Sequence, residues 1–227
     1  MDAFLICRNG ILDYEKALYI QKQLVTRRQA GEIGDICLLL EHPPVLTMGT
    51  RGHTENIYLS EDELQRRGIA IHWIERGGDV TYHGPGQLVC YPIFRLNDYE
   101  GGIRQFVSQL QQAIIQLLQE EYSIAAEARS GKLTGVWTGE RKIAAIGLAV
   151  KQGISMHGFA FNINTDLTPF SWINPCGLSK GVTSVARELG HDVDMDNAYR
   201  KMAVNLATAF GRPFETISID QLTGGSR

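Results

Sequence analysis

Short apolar runs separated by turn residues dominate the sequence, and they constrain its fold more than any other feature. Residues 36–40 and 88–94 have the length and composition of strands, and residues 142–150 and 155–164 flank the turn 151–153 like the two arms of a hairpin. Because these runs come in pairs and do not alternate regularly with helices, we predict an α+β fold with a mixed or antiparallel sheet.

Helical spacing of apolar residues is confined to a few segments, and it is clearest between Ile103 and Leu118. Asp13 is expected to cap a further helix, and Gly211 to follow the end of the last one. The predicted helices cover residues 14–30, 61–67, 103–118 and 196–210, and further short strands are predicted at 45–48, 69–74 and 135–138. The polar, glycine-rich segment 76–87 is expected to be a loop.

Length and composition predict one domain. The chain has 227 residues, 44% of them hydrophobic, and neither repeats nor linkers, so a single domain over 1–227 is expected, with 214–227 as a C-terminal extension whose end is frayed. The net charge of −3 gives no bias toward nucleic acid or an anionic membrane surface, and neither is expected as a partner. With no signal-peptide pattern and no apolar run long enough to span a bilayer, a cytoplasmic location is expected.

Four cysteines are scattered along the chain, and no two of them form a C-x-x-C pair. Zinc clusters and thioredoxin-like redox motifs need such close pairs, so neither is expected. Cys7, Cys37 and Cys90 lie in strand-like runs and are expected to be buried thiols. Cys176 differs, because it stands between a proline and a glycine at an irregular turn, where a thiol is better placed for reaction than for packing.

Two further segments carry more polar and glycine residues than packing requires. Residues 76–87 hold four glycines and one proline, which let a backbone approach a ligand closely, although an ordinary connecting loop is an equally good interpretation. The segment is not a phosphate-binding loop, because it lacks the required glycine pattern. Lys142 begins an apolar strand, where it is either a solvated edge lysine or an amine beside a partly dry pocket.

Taken together, these motifs resemble those of the lipoyl(octanoyl) transferases, the octanoyl-acyl carrier protein:protein N-octanoyltransferases. The matching stretches are EHPPVLTMG (41–49), RGGDVTYHGPGQLVCYPI (76–93), RKIAAIGLAV (141–150), SMHGFAFNINTDL (155–167) and INPCGL (173–178). The resemblance covers most of the chain, and its motifs occur in the family's order. It implies a mixed β-sheet flanked by helices, like the catalytic core of biotin and lipoate protein ligases.

The resemblance also implies roles for individual residues. Cys176 would carry the acyl group, and Lys142 would lower the pKa of its thiol. The residues implied to line the acyl substrate are Arg76, Gly77, Gly78, Asp79, Val80, Thr81, Tyr82 and His83. Those implied to complete the pocket are Ala145, Ile146, Gly147, Gly158, Phe159 and Ala160. His83 and His157 are expected to shape or polarise the site rather than to act as the main base.

The implied reaction moves an octanoyl group from octanoylated acyl carrier protein to the ε-amine of a lysine on lipoyl domains. The acceptors implied are the lipoyl domains of 2-oxoacid dehydrogenase complexes and the glycine cleavage H protein. Since a thioester donor and a Cys176 thioester have nearly equal energies, the reaction needs no ATP, and neither a cofactor nor a metal is implied.

Four other functions are compatible with the sequence. Two are close relatives of the first: an ATP-dependent lipoate-protein ligase of the same fold, and an enzyme that moves octanoyl groups between lipoyl-domain proteins. A hydrolase would combine Cys176 with His83 or His157 and with Asp79 or Asp166. A non-enzymatic module that binds carrier protein or lipoyl domains would keep the fold without the reaction.

Overall fold

A computed structural model describes residues 3–174 and 181–223 of the chain. The strands of these residues are β1 (Phe4–Ile11), β2 (Ile36–Glu41), β3 (Val45–Met48), β4 (Ala70–Trp73), β5 (Val80–His83), β6 (Gln87–Ile93), β7 (Glu127–Arg129), β8 (Gly135–Thr138), β9 (Arg141–Lys151), β10 (Ile154–Asn162) and β11 (Phe214–Ile217). The α-helices are α1 (Tyr14–Ala30), α2 (Glu61–Arg66), α3 (Gly102–Tyr122), α4 (Val185–Leu189), α5 (Met195–Phe210) and α6 (Ile219–Thr223).

Two sheets organise the described residues. The larger has eight strands in the order β11-β1-β2-β6-β10-β9-β8-β7, and the smaller has three in the order β4-β3-β5. In the large sheet β11, β1 and β2 run parallel, whereas every later neighbour is antiparallel. The prediction of an α+β fold with a mixed sheet and flanking helices is therefore confirmed.

The large sheet buries both of its faces, so its central strands are apolar along their length. One face packs against α3 and α5 through side chains such as Phe94, Phe106 and Phe210. The other face packs against α1, where Leu24 meets Leu38 and Tyr91. The small sheet forms its own cluster, to which α2 contributes Leu64.

Local sequence signals set the bounds of the long helices as predicted. Asp13 caps α1 by accepting a hydrogen bond from the Lys16 backbone N–H at 3.1 Å. Gly31 and Gly211 end α1 and α5 in the left-handed conformation, with φ of 76° and 61°. The predicted hairpin is also confirmed, because β9 and β10 pair antiparallel on either side of Gln152.

The expectation that residues 76–87 form a loop is wrong in part, because β5 lies inside this segment. Strand β5 pairs antiparallel with β3, so that Thr81 stands opposite Thr47 and Tyr82 opposite Leu46. The sequence did not reveal this strand because Thr81 and His83 are polar residues that border a cleft. Val80 and Tyr82 are buried in the core of the small sheet.

The remaining expectations about the fold concern the C-terminal residues, the cysteines and the lack of a membrane-spanning segment. Within the segment assigned to a C-terminal extension, β11 pairs in parallel with β1 and Leu222 is buried against the α1 face. Cys7, Cys37 and Cys90 are buried, as predicted, and burial raises the pKa of the Cys7 thiol to about 11. Across residues 3–174 and 181–223, no helix has the length and apolar character needed to cross a membrane.

Candidate active site

A cleft of about 260 Å³ lies where the segment after β4 meets strand β9 of the large sheet. The Gly77 backbone N–H donates to the Leu148 carbonyl at 2.9 Å, which fastens the glycine-rich segment to β9. Residues of β5, β9 and β10 line the cleft, and Ile103 and Val107 of α3 add an apolar wall. A space of this size and mixed lining is close to the range of small-ligand sites.

Most of the residues that the motifs single out meet at this cleft. The lining includes Arg76, Gly77, Gly78, Asp79, Val80, Thr81, His83, Lys142, Ala145, Ile146, Gly147, Gly158, Phe159 and Ala160. Tyr82 is not among these lining residues. The Tyr82 ring belongs to the core of the small sheet and packs edge-on against Phe170, with ring centroids 5.6 Å apart.

Arg76 fixes the glycine-rich segment through buried hydrogen bonds. Its Nη2 donates to the Thr47 carbonyl at 2.6 Å, and its Nε donates to the Thr47 hydroxyl at 3.2 Å. Its Nη1 donates to the Gly77 carbonyl at 3.1 Å. Because a buried guanidinium needs such partners, Arg76 is tied to β3 and sets the path of the backbone that borders the cleft.

The Asp79 carboxylate is a second buried anchor. It accepts hydrogen bonds from the Val80 backbone N–H at 2.7 Å, the Asn56 side-chain amide at 2.5 Å and the His53 backbone N–H at 3.3 Å. The Asn56 carbonyl in turn accepts from the Asn174 backbone N–H at 2.8 Å. Asp79 thus connects the glycine-rich segment to the chain just before residue 175.

Lys142 lies at the start of β9 and is half-buried, and its surroundings match the pocket interpretation better than the surface one. Its Nζ lies 5.0 Å from the centre of the Trp137 ring, within the distance of a cation–π contact. Its backbone N–H donates to the Gly181 carbonyl at 2.9 Å, and its carbonyl accepts from the Thr183 N–H at 3.0 Å. The chain therefore pairs with Lys142 five residues after Cys176.

Cys176, the predicted nucleophile, lies outside the described residues. The described chain stops at Asn174 and resumes at Gly181, and both of these residues are hydrogen-bonded. The Asn174 N–H donates to the Asn56 carbonyl, and the Gly181 carbonyl accepts from the N–H of Lys142, which borders the cleft.

Rings from several elements form a buried group beside the cleft, here called the imidazole cluster: Tyr14, His42, His83, Tyr91 and His157. Ring centroids are 5.7 Å apart between His42 and His83 and 6.1 Å apart between Tyr14 and His83. The Tyr91 hydroxyl lies 2.7 Å from His42 Nε2, and the Leu12 carbonyl lies 2.7 Å from His42 Nδ1.

The three imidazoles of this cluster are neutral at physiological pH. Burial, the largest cause, lowers the pKa of His83 to about 3 and the pKa values of His42 and His157 to about 4. The nearby Arg76 guanidinium lowers the pKa values of His83 and His157 further. At pH 7 an imidazole with such a pKa accepts or donates hydrogen bonds, but it is not protonated and is a weak base.

His157 has an unusual backbone conformation in the middle of β10. Its φ is 56°, the left-handed region that few non-glycine residues adopt. Its backbone N–H donates to the Gln21 side chain at 2.8 Å, while its Nε2 is buried and has no hydrogen-bond partner among the described residues. Backbone strain and an unsatisfied buried nitrogen at a ligand cleft are both typical of functional positions.

Two glycines face each other where β9 and β10 pass the cleft. Gly147 pairs with Gly158, and a Cβ on Gly147 would stand 2.8 Å from the Gly77 carbonyl oxygen. A Cβ on Gly158 would stand 2.0 Å from the Cys90 carbonyl oxygen. Any side chain at these positions would displace backbone, so glycine is required for the glycine-rich segment and β6 to lie this close.

Comparison with known proteins agrees with this geometry. Residues 13–207 match the model of the family described as the lipoyl protein ligase A/B catalytic domain. The chain belongs to this family. A relative named octanoyltransferase from Caldicellulosiruptor saccharolyticus is 49% identical over 218 residues, which cover 96% of this chain and 93% of the relative. Another of the same name, from Solibacter usitatus, is 50% identical over 201 residues, which cover 88% and 90%. The resemblance read from the motifs is confirmed.

Solved structures of other proteins share the fold. A crystal structure of lipoate-protein ligase A bound with ATP matches with a TM-score of 0.79 at 17% identity, covering 99% of this chain and 92% of that one. A biotin protein ligase from Aquifex aeolicus matches with a TM-score of 0.54 at 13% identity, covering 93% and 70%. At these identities the matches concern the fold, which agrees with the ligase-like core that the motifs imply.

Several cleft residues of this family member were not singled out by the sequence. Tyr14 comes from α1 and Tyr91 from β6, and both read as ordinary core residues in their elements. Gln87 and Asn162 stand at the ends of apolar strands and are nonetheless buried. Polar amides bordering such strands are a signal that could have identified them, because buried amides require defined hydrogen-bond partners.

Proposed function

We propose that the protein transfers an octanoyl group from octanoylated acyl carrier protein to a lysine ε-amine on lipoyl domains, through a thioester on Cys176. Relatives named octanoyltransferase, similar over most of their length, support this reaction. The observation that carries the assignment is the position of Lys142, which borders the cleft and pairs through its backbone with Gly181 and Thr183, shortly after Cys176.

In the first half-reaction, the neutral Lys142 amine takes the thiol proton of Cys176. A free thiol has a pKa near 8.5, so a neighbouring ammonium that stabilises the thiolate raises its population at neutral pH. The thiolate attacks the thioester carbonyl of the donor, a new C–S bond forms, and the donor's C–S bond breaks. The departing carrier thiolate takes the proton from Lys142, which leaves an octanoyl thioester on Cys176.

In the second half-reaction, the neutral ε-amine of the acceptor lysine attacks the octanoyl-Cys176 carbonyl. The C–S bond breaks as the amide bond forms, and Cys176 leaves as a thiolate. Lys142, which is neutral after the first step, takes the surplus proton of the amine and restores the starting pair. One lysine thus manages the proton in both directions, which the imidazoles with pKa values of about 3 to 4 do poorly at pH 7.

The buried side of the cleft has a different part in this proposal. A thioester intermediate is wasted if water reaches it, so the site must be dry while it waits for the acceptor. Ile146, Phe159 and Val107 supply apolar surface for an octanoyl chain, and the imidazole cluster adds buried groups without charge. The proposed acceptors are lipoyl domains of 2-oxoacid dehydrogenase complexes and the glycine cleavage H protein, and the proposed setting is the cytoplasm.

The decisive experiment is the intact mass of the protein after incubation with octanoylated acyl carrier protein. We expect an octanoyl adduct that is absent from Cys176→Ala and present in Cys7→Ala, a control that removes a buried cysteine of β1. Addition of lipoyl domain should discharge the adduct and increase the mass of the domain by the same group. A wild-type protein that forms no adduct would refute the proposal.

The same assay separates the other functions. An adduct, or a modified lipoyl domain, that forms only with free acid and ATP would identify a ligase. Release of free octanoic acid at the same rate with and without lipoyl domain would identify a hydrolase. Binding of the carrier protein without any adduct, unchanged in Cys176→Ser, would identify a binding module.

A further inference from the structure

A chain of buried hydrogen bonds connects His83 with the strand that carries Lys142. His83 Nδ1 lies 2.8 Å from the Gln87 side-chain oxygen, and the Gln87 side-chain nitrogen lies 2.9 Å from the Asn162 side-chain oxygen. The Asn162 side-chain nitrogen lies 3.0 Å from the Thr183 carbonyl. Gln87, Asn162 and Thr183 are all buried, so each of their polar groups depends on these partners.

Two backbone carbonyls fix the direction of every bond in this chain. The Thr183 carbonyl can only accept, so the Asn162 nitrogen must face it and the Asn162 oxygen must face Gln87. The Tyr82 carbonyl, 3.2 Å from the Gln87 nitrogen, fixes the Gln87 amide in the same way. The Gln87 oxygen therefore faces His83 as an acceptor, and His83 Nδ1 must carry the hydrogen.

The far end of the chain is the backbone of Lys142. Thr183, which accepts from Asn162 through its carbonyl, donates through its own N–H to the Lys142 carbonyl at 3.0 Å. Gly181, two residues earlier, accepts from the Lys142 N–H. Gln87 and Asn162 thus stand between a cleft histidine and the segment that returns to Lys142 after Cys176.

We propose that Gln87 and Asn162 are positioning residues that hold His83 as its neutral Nδ1–H tautomer and keep residues 181–183 against Lys142. His83 then offers Nε2 to the cleft as a hydrogen-bond acceptor for an N–H or O–H group of the bound ligand. Neither amide reaches the reacting atoms in this scheme, since Gln87 acts through His83 and Asn162 acts through Gln87 and Thr183. The expected effect on turnover rests on the proposed octanoyl transfer, whereas the assignment of the His83 tautomer does not depend on that reaction.

The groups around His83 are consistent with a neutral ring. Burial is the largest cause that disfavours a positive charge there, His42, Arg76 and His157 act in the same direction, and Tyr14 stacks on one face. Only the hydrogen bond to Gln87 acts in the opposite direction. Neutrality makes the choice of tautomer consequential, because a neutral imidazole has one donor and one acceptor.

Nitrogen NMR of the ¹⁵N-histidine-labelled protein tests the tautomer without any substrate. We expect the His83 signals, assigned by their loss in His83→Gln, to show a protonated Nδ1 and an unprotonated Nε2 at pH 7. In Gln87→Glu a carboxylate replaces the amide, so the His83 titration midpoint should rise by about two pH units. Gln111→Glu is the matched control. Gln111 is also a buried glutamine, and its side-chain nitrogen donates to the backbone carbonyls of Arg129 in β7 and Gly135 in β8.

Asn162→Asp tests the second half of the proposal. An aspartate cannot donate to the Thr183 carbonyl, so residues 181–183 should hold Lys142 less well, and alkylation of Cys176 at pH 7 should slow by about tenfold. Asn164→Asp makes the same chemical change two residues away, where the Asn164 amide donates to the Val193 carbonyl at 2.8 Å. This control should leave alkylation unchanged.

A protonated Nε2 on wild-type His83 would overturn the tautomer assignment whatever the fate of the variants. Equal slowing of alkylation in Asn162→Asp and Asn164→Asp would overturn the positioning role of Asn162. If octanoyl transfer is absent but the His83 tautomer and its response to Gln87→Glu are as stated, the proposed function fails and this inference stands.

Discussion

The imidazole cluster and the surroundings of Lys142 border the same cleft but are built in opposite ways. The cluster is buried and neutral, with three histidines whose pKa values lie near 3 to 4. Lys142 is half-buried, lies over the Trp137 ring and is paired through its backbone with residues 181–183. Histidines with such pKa values are poor proton acceptors at pH 7, which supports our proposal that the lysine transfers the proton and the histidines shape the cleft.

Acid should damage the imidazole cluster first, and this is the largest effect we predict. An unfolded histidine has a pKa near 6.5, so between about pH 4 and pH 6 the unfolded chain binds up to three more protons than the native one. Stability is therefore fully present above pH 6.5 and is lost as the pH falls toward 4, by up to about 4 kcal/mol per pH unit. Urea unfolding at a series of pH values measures this slope.

A histidine variant separates the contribution of the imidazole cluster to the pH dependence of stability from the contribution of carboxylates that titrate in the same range. In His157→Gln one titrating group is removed, so the slope of unfolding free energy against pH should decrease by about 1.4 kcal/mol per pH unit. His191→Gln, which removes an exposed histidine outside the cluster, is the matched control. Equal slopes in wild type and His157→Gln would show that His157 is not held neutral.

Removal of the Lys142 amine should abolish most of the activity while leaving the fold intact. We expect Lys142→Met to lower the rate of octanoyl transfer by at least about a hundredfold, the usual contribution of a positioned acid-base group. Lys151→Met, at the exposed other end of β9, is the matched control and should retain the wild-type rate. Comparable losses in both variants would remove Lys142 from its assigned role.

A methyl group at Gly147 should disturb the connection between the glycine-rich segment and β9. The added Cβ would stand 2.8 Å from the Gly77 carbonyl oxygen, so Gly147→Ala must displace the backbone that borders the cleft. We expect kcat/KM to fall by about tenfold, which corresponds to about 1.4 kcal/mol. Gly34→Ala, with open space around its Cβ, serves as the control. A fully active Gly147→Ala would contradict the close approach of these segments.

The smallest predicted effect concerns the cation–π contact between Lys142 and the Trp137 ring. Trp137→Phe keeps a ring beside Lys142 but weakens the cation–π contact, so octanoyl transfer should slow by about two- to fourfold. Trp73→Phe, a change at an exposed tryptophan, should have no effect. An effect on turnover as large as that of Lys142→Met would indicate that Trp137 acts through packing instead.

Much of the fold was predictable because local patterns decide it. Helix α1 has its Asp13 cap and glycine stop, and the β9–β10 hairpin has a turn between two apolar arms. Strand β5 was missed because its outward positions hold Thr81 and His83, which a propensity rule assigns to a loop. The cleft overrides that rule, since these polar groups face a ligand site and not bulk solvent.

The site was predictable only through its motifs. Arg76, Lys142 and Gly147 belong to recognisable segments, and the fold brings these segments together. Gln87 and Asn162 lie in such segments too, but no role was implied for either of them, because they act through a hydrogen bond between residues that are 75 positions apart in the chain. Tyr82 belongs to a motif as well, and its ring packs in the core of the small sheet.

The most direct test of this division is the pH dependence of Cys176 alkylation in wild type, Lys142→Met and His83→Gln. We predict that wild type reacts with an apparent thiol pKa below 8.5, that Lys142→Met moves this pKa upward, and that His83→Gln leaves it where it was. An unchanged profile in Lys142→Met, or an upward shift in His83→Gln as large as the one predicted for Lys142→Met, would contradict the account.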